Sequence, residues 1–596
     1  MKATDISQAD YFHKVVDCQW ACPAHTPVPE YIRRISAGDY VGAYMINWKS
    51  NVFPGILGRT CDRPCEPACR RGRVEEQPVA ICRLKRVAAD YKGDISGLLP
   101  KPPLTRNGKR IACVGAGPAS LTVARDLAPL GYEVVVFDGD ARAGGMMRSQ
   151  IPKFRLPDEV IDEEVGYVLN GGVEFVAGRR IDSLKGLLGE GYDAVFVGCG
   201  APRGRDLVLP GRKEAGANIH IGIDWLSSVS FGHVHSIGKR VIVLGGGNTA
   251  MDCCRSSLRL GGVDVKVVVR SGFAEMKASS WEKEDAIGEG IPILNYHVPK
   301  AFLHKRGKLT GMTFEKVAAS QDKDGRRVLT PTGEPDVEIP CDDVLIAVGQ
   351  ENAFPWIEQD VGVAFDRAGM PTVDPLTFQS SLPAVFFGGD SAFGPKNIIT
   401  AVAHGHEAAI SIDAFCQGES LSLRPPPMTN LVSQKMGIHE WSYDNAITLD
   451  RRFKVPHADR AIALKSIGTE VELGFDPVLA IAEAQRCLNC DVQTVFSEPA
   501  CIECDACVDI CPTDCISFVP NAPEAELRRS LSAPALNLSQ DIYVSEPVKT
   551  GRVMAKDEDL CLHCGLCAER CPTGAWDMQK FTLDMAQAEH ACRSRA

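Results

Sequence analysis

Two cysteine runs constrain this chain more than any other feature. CIECDACVDICP carries Cys501, Cys504, Cys507 and Cys511 ahead of Pro512, and CLHCGLCAERCP carries Cys561, Cys564, Cys567 and Cys571 ahead of Pro572. Both read C-x2-C-x2-C-x3-C-P, in which a short loop wraps three thiolates around one iron–sulfur cube while the fourth, beside a turn-forming proline, reaches a second cube. The pattern predicts one [4Fe-4S] cluster on Cys501, Cys504, Cys507 and Cys571, and another on Cys561, Cys564, Cys567 and Cys511. Structural zinc sites usually use two separated C-x2-4-C pairs, not evenly spaced quartets ending in Cys-Pro. Cys515 reads as packing near a cluster, and Cys592 has no visible task. The stretch between the quartets keeps no single apolar period and is expected to be a surface excursion that docks a partner or the rest of the chain.

The chain has 24 cysteines in 596 residues, and its first twenty residues lack an apolar core followed by a cleavage site. Thiols in a reducing, cytoplasmic setting are therefore expected, rather than a disulfide framework. Cys113, Cys199, Cys253 and Cys254 lie in apolar stretches and are expected to pack as small core residues. Lys and Arg number 65 against 76 Asp and Glu, a net charge of −11 with no basic tract, so nucleic acid is a poor expectation as a partner. No apolar run of about 20 residues is present to span a bilayer.

Residues 108–138 form a strand, Gly115-x-Gly117-x-x-Ser120, a helix and a second strand ending in Asp138. The glycines let backbone approach a pyrophosphate at the helix N-terminus, and the acid is placed for ribose hydroxyls. Ser120 replaces the usual Gly or Ala and needs more room between helix and strand. The pattern recurs at 239–270, with Gly245, Gly247 and Ala250 after the strand Arg240–Leu244. Its second strand ends at Arg270 where an acid would favour NAD, so Arg270 is a candidate for a 2′-phosphate and NADP. Gly388-Gly389-Asp390 precedes a small-residue helix near Asn397, and Asp390 is a candidate for a flavin ribityl hydroxyl. No acid–base residue is assigned, and His404 and His406 read equally well as helix-surface residues. No G-x-S-x-G, HExxH or P-loop pattern is present.

The first 107 residues carry Cys18, Cys22, Cys61, Cys65, Cys69 and Cys82, two thiols short of two cubes. RCLNC, with Cys487 and Cys490, supplies the missing pair, whereas a zinc reading of the N-terminal set leaves the count unexplained. The helical period of PVLAIAEAQRC is expected to orient Cys487 and to place Cys490 beyond the helix end.

GAGPAS at 115–120, GGM at 144–146, IPKFRLP at 151–157, GGGNTAMDC at 245–253, AVGQ at 347–350 and GGD at 388–390 resemble, in this order, the FAD-containing small subunit of glutamate synthase. The same motifs resemble the NAD(P)H:ferredoxin transhydrogenase large subunit and the N-terminal half of dihydropyrimidine dehydrogenase. The resemblance implies FAD on the first Rossmann unit, with Gly145 among its contacts, and NAD(P)H on the second. In that family an RCLxC run adjoins the position of Cys18; here it stands at 486–490. The resemblance then implies one cube on Cys487, Cys490, Cys18 and Cys69 and another on Cys22, Cys61, Cys65 and Cys82, giving four [4Fe-4S] clusters. Some relatives fill the last ligand position with Gln slightly later in the chain; Lys85 stands near that point here, and Cys82 is expected to compensate.

The expected fold is α/β: tandem Rossmann-type domains, a helical N-terminal iron–sulfur domain and a C-terminal α+β ferredoxin-like domain. The expected boundaries are 1–107 for the N-terminal domain, 108–235 and 341–415 for the FAD domain, 236–340 for the NAD(P)H domain, 416–495 for a returning linker and 496–596 for the two-cluster domain. The expected function is electron exchange between NAD(P)H and a soluble ferredoxin or separate catalytic oxidoreductase subunits, such as a 2-oxoacid:ferredoxin oxidoreductase. The alternatives are the small subunit of NADPH-dependent glutamate synthase and a nonenzymatic electron relay.

Overall fold

The computed structural model describes residues 1–321, 323, 326–436 and 447–588. Cys592 lies outside them. The chain forms two compact units, one of Leu99–Ser422 with Pro456–Leu473 and one of Met1–Leu98, Leu423–Val455 and Gly474–Ala596.

The first unit holds two parallel sheets. Arg110–Val114 is almost wholly apolar and buried along its length, as a strand covered on both faces requires. Glu133–Phe137 and Ala194–Val197 flank it, and Glu174–Val176 and Val385–Phe387 complete the sheet. In the second sheet Asp343–Ile346 lies between Ile219–Ile221 and Arg240–Leu244, followed by Asp264–Val268 and Ile293–Leu294. The second domain is therefore wider than the expected 236–340. Asp343–Ile346, expected to open the second FAD segment, pairs with Arg240–Leu244 over four residues, and Val344, Leu345 and Ile346 are buried in this domain's cores. An antiparallel sheet containing His297–Lys305 and Lys308–Gln321 shares one of those cores through Phe302, Met312 and Phe314.

The second unit begins with short helices running from Ala9–Val15 to Ile81–Tyr91. Val28–Ser36 carries a proline in its first turn, where a missing N–H costs nothing, and buries Tyr31, Ile32 and Ile35. The helix Pro477–Ala484, capped by the Asp476 carboxylate accepting from Leu479 N, ends before RCLNC, so both Cys487 and Cys490 lie beyond it.

The stretch between the cysteine quartets, which keeps no single apolar period, packs around a core of its own. Leu527 and Leu531 pack against Ile542, Val544, Val553 and Ala555, and Thr4 N donates to Val544 O at 2.7 Å. The expected linker 416–495 is likewise divided, since its segment Pro456–Leu473 belongs to the first unit.

Candidate functional site

In the first unit, a cavity of about 730 Å³ is lined by Gly115, Gly117, Asp138, Gly145, Gly389 and Asp390. Gly117 precedes the helix Pro118–Leu127, and a Cβ on it would meet only Gly198 O, at 3.8 Å, which leaves room for close backbone approach. Gly145 has φ +52°, and a Cβ there would stand 2.8 Å from Gly117 Cα. Only glycine fits that contact without movement. One Asp138 oxygen accepts from Ala116 N at 2.6 Å and the other from Asp140 N at 2.9 Å, which fixes the carboxylate at the rim. Asp390 accepts from Lys396 N at 2.9 Å, and burial raises its carboxyl above the usual range.

Asn397, whose side chain accepts from Thr400 N at 3.0 Å, and Ile398 line the same cavity at the start of the helix Ile398–Gln417. Two helix N-termini and two acids around one open cavity fit a dinucleotide carrying a pyrophosphate and several hydroxyls.

Ser120 does not line this cavity. It is fully buried between helix and strand, and a Cβ on Gly198 would stand 2.2 Å from its Oγ, so the larger third residue is accommodated by a glycine opposite. Cys113, Cys253 and Cys254 are core residues, but Cys199 lines the cavity, with Ser391 Oγ donating to its sulfur at 3.7 Å. The surface reading of the histidines is also corrected. His406 is buried against Asp126 at 2.5 Å, and His404 packs on the rings of Phe378 and Phe393.

The second glycine turn is built alike. Gly245 has φ +138° and its ideal Cβ would come within 2.1 Å of Ala347 O, whereas nothing stands within 4 Å of one on Gly247. Ala250 is fully buried in the domain core, and Arg270 is exposed just beyond Asp264–Val268.

In the cysteine-bearing unit, Cys18, Cys69, Cys487 and Cys490 line one small cavity. Cys22, Cys61, Cys65 and Cys82 gather around Lys85, whose buried ammonium donates to Asn51 Oδ1 at 2.9 Å. Cys571 neighbours Cys501 and Cys507, and Cys504 neighbours Cys501. Cys511 and Cys561 neighbour Cys564, and Cys561 and Cys564 neighbour Cys567. Cys515 lies 3.5 Å from Cys511 and hydrogen bonds Cys561, packed beside that last group.

Burial pushes the Cys18 thiol well up, and Cys69, Cys490 and Cys487 beside it push further. Four such sulfurs share one space as thiolates only when a cationic centre compensates them, so the donor set fits an iron–sulfur cluster. Glu558, Cys561 and His563 also bring ligand atoms within 4.8 Å of one another. That carboxylate is already paired with Lys556 at 2.6 Å.

Sequence reasoning missed the side chains that hold these cysteines. Arg33 donates to both oxygens of Asp491, at 2.7 and 2.5 Å, across 458 positions. Arg486, fully buried, donates to Glu483 at 2.8 Å, Gln77 O at 2.9 Å and Pro78 O at 3.1 Å. Glu483 in turn accepts from Ala80 N at 2.8 Å. No local signal marks them: Arg486 stands inside RCLNC, but its burial, and hence its need of partners, shows only in the structure.

Residues 109–405 match the family model described as pyridine nucleotide-disulphide oxidoreductase. Residues 11–95 match dihydropyrimidine dehydrogenase domain II with a 4Fe-4S cluster, and residues 500–575 match the 4Fe-4S dicluster domain. The NADP(+)-dependent formate dehydrogenase subunit beta of Moorella thermoacetica is 34% identical over 505 residues, 79% of this chain and 70% of that protein. The NADPH-Fe(3+) oxidoreductase subunit beta of Geobacter sulfurreducens is 30% identical over 82% of this chain and 77% of its own length. The glutamate synthase [NADPH] small chain of Mycobacterium tuberculosis is 30% identical over 68% of this chain and 86% of its own length. Among the described residues, no helix is long and apolar enough to cross a membrane.

Proposed function

The chain belongs to the NAD(P)H-dependent flavin and iron–sulfur oxidoreductases, and from that premise we propose that it exchanges electrons between NADPH and a ferredoxin or a separate catalytic subunit. The observation that carries the proposal is the combination, in one chain, of two glycine-turn dinucleotide sites with four convergent cysteine sets. Bound FAD accepts electrons in pairs from a nicotinamide and gives them up singly, as iron–sulfur clusters require.

The chain's own part is to bind and to position. Gly115, Gly117, Gly145, Asp138, Gly389 and Asp390 hold the flavin nucleotide. Gly245, Gly247 and Ala250 shape the nicotinamide nucleotide site, and exposed Arg270 meets the 2′-phosphate. Four [4Fe-4S] clusters are held by Cys18, Cys69, Cys487 and Cys490; by Cys22, Cys61, Cys65 and Cys82; by Cys501, Cys504, Cys507 and Cys571; and by Cys511, Cys561, Cys564 and Cys567. Buried Lys85 adds a positive charge beside the second of these.

The NADP-linked names of two relatives support NADPH over NADH, and their naming as beta subunits supports a partner that carries the substrate chemistry. The dicluster segment supports this reading over a glutamate synthase small chain. In the direct test, anaerobic NADPH is added to the FAD-loaded chain. Bleaching of the flavin band is expected, followed by loss of iron–sulfur absorbance. Failure of both NADPH and NADH to reduce the flavin overturns the enzymatic reading.

A further inference from the structure

His563 stands between Cys561 and Cys564 in the second quartet, with φ +52°. Its Nδ1 lies 2.7 Å from the backbone carbonyl of Cys490. A carbonyl only accepts, so Nδ1 carries the proton and the bond runs from one cysteine loop to the other. The other ring nitrogen lies 3.4 Å from Glu558, whose second oxygen pairs with Lys556 at 2.6 Å, so the imidazole is held at both ends in a fully buried position.

A second link runs the opposite way. Arg70, next to Cys69, donates to Glu558 O at 2.7 Å and to the carbonyl of Cys561, while its other nitrogens reach Val15 O and Asp17. The loop of Cys501 is tied elsewhere, with Glu503 accepting from Thr550 N at 2.8 Å and pairing with Arg552 at 3.2 Å.

We infer that His563 and Arg70 are positioning residues that join the Cys18, Cys69, Cys487 and Cys490 set to the Cys511, Cys561, Cys564 and Cys567 set. The latter set, not that of Cys501, is then the receiving centre of the ferredoxin-like segment. The inference rests on the proposed [4Fe-4S] occupancy of both sets. Each transfer moves one electron, oxidising one cluster as the other is reduced, and no bond is made or broken. Electron transfer falls steeply with distance, and hydrogen bonds at the ligands tune cluster potential.

The test uses the anaerobically purified full chain, with iron analysis, electron paramagnetic resonance of the dithionite-reduced protein and redox titration. About 16 iron per chain is expected, with magnetic interaction between two neighbouring reduced centres. In a Cys61→Ser background, which removes the Cys22 centre, Cys504→Ser leaves only the Cys18 and Cys561 centres and should keep the interaction, whereas Cys564→Ser leaves only the Cys18 and Cys501 centres and should lose it. His563→Gly tolerates the positive φ but removes the donor, and should shift the potential of the Cys18 set downward with iron retained. His563→Asn also tolerates the positive φ, places an amide N–H where Nδ1 stood and should restore the potential. About 16 iron in the native chain, with the interaction lost in the Cys61→Ser, Cys504→Ser variant or kept in the Cys61→Ser, Cys564→Ser variant, or with wild-type potentials in His563→Gly, overturns the inference alone. Iron near 8 overturns the cluster reading and the inference with it.

Discussion

The two units build their sites from different material. In the dinucleotide unit, the groups that shape the cavity are largely backbone around glycines, each turn contained within a few consecutive residues between a strand and a helix. In the cysteine-bearing unit, the set of Cys18, Cys69, Cys487 and Cys490 gathers side chains from opposite ends of the chain, and Arg33 reaches Asp491 across 458 positions. A backbone site depends on local conformation and tolerates change in distant sequence. A convergent side-chain site depends on every strut that brings its parts together, so damage to one strut should spread.

The largest expected effect breaks the convergent site directly. Cys487→Ser combined with Cys490→Ser should remove about 4 of about 16 iron per chain while flavin content stays at the wild-type ratio. Parallel iron and flavin analysis checks this, and a parallel loss of flavin would mean that the two units are not independent. A strut comes next. Arg486→Met leaves the buried Glu483 carboxylate without its counter-charge and should destabilise the cysteine-bearing unit by about 3–5 kcal/mol. In calorimetry, only that unit's transition should move.

Within the dinucleotide unit, the corresponding buried pair is Asp126 with His406, and Asp126→Asn should cost about 2 kcal/mol at neutral pH. Burial pushes the Asp126 carboxyl up, but His406 and Arg125 outweigh it and hold the group below its usual range. A carboxyl depressed in the folded state stabilises fully above its unfolded value near 4, and that contribution is lost as pH falls through the folded value. Urea unfolding of the variant should therefore show a flatter decline below about pH 4 than the native chain. An unchanged acid slope would remove this pair from the account.

The smallest effect concerns the second glycine turn. Arg270→Ala should raise the KM for NADPH by about tenfold, a loss of ~1.4 kcal/mol, and leave that for NADH nearly unchanged. Equal effects on the two would separate the arginine from the 2′-phosphate.

Legibility follows the same division. Gly115, Gly117, Asp138, Gly389 and Asp390 were legible from their placement between strand and helix and Gly145 only through the resemblance, and one cavity is lined by all six. The room that Ser120 needs was legible, but the glycine that supplies it, Gly198, stands just beyond another strand, Ala194–Val197. The cysteine quartets were readable from spacing, and the missing pair from counting. Arg33, Arg70, Arg486 and His563 were not, because nothing local distinguishes a buried arginine or histidine from a solvated one until its partners are known. The width of the second domain was hidden for the same reason, since the pairing of Asp343–Ile346 with Arg240–Leu244 joins segments about a hundred residues apart.

The chain leaves and re-enters the dinucleotide unit, and the N-terminal helices meet Glu483, Arg486 and Asp491 only in the Gly474–Ala596 segment. On a ribosome adding about 5–20 residues per second, the first helices are made tens of seconds before their partners. The dinucleotide body is by then largely synthesised, so the order of synthesis and the order in which contacts close differ: Cys18 and Cys69 gain Cys487 and Cys490 as neighbours only after that body has been made.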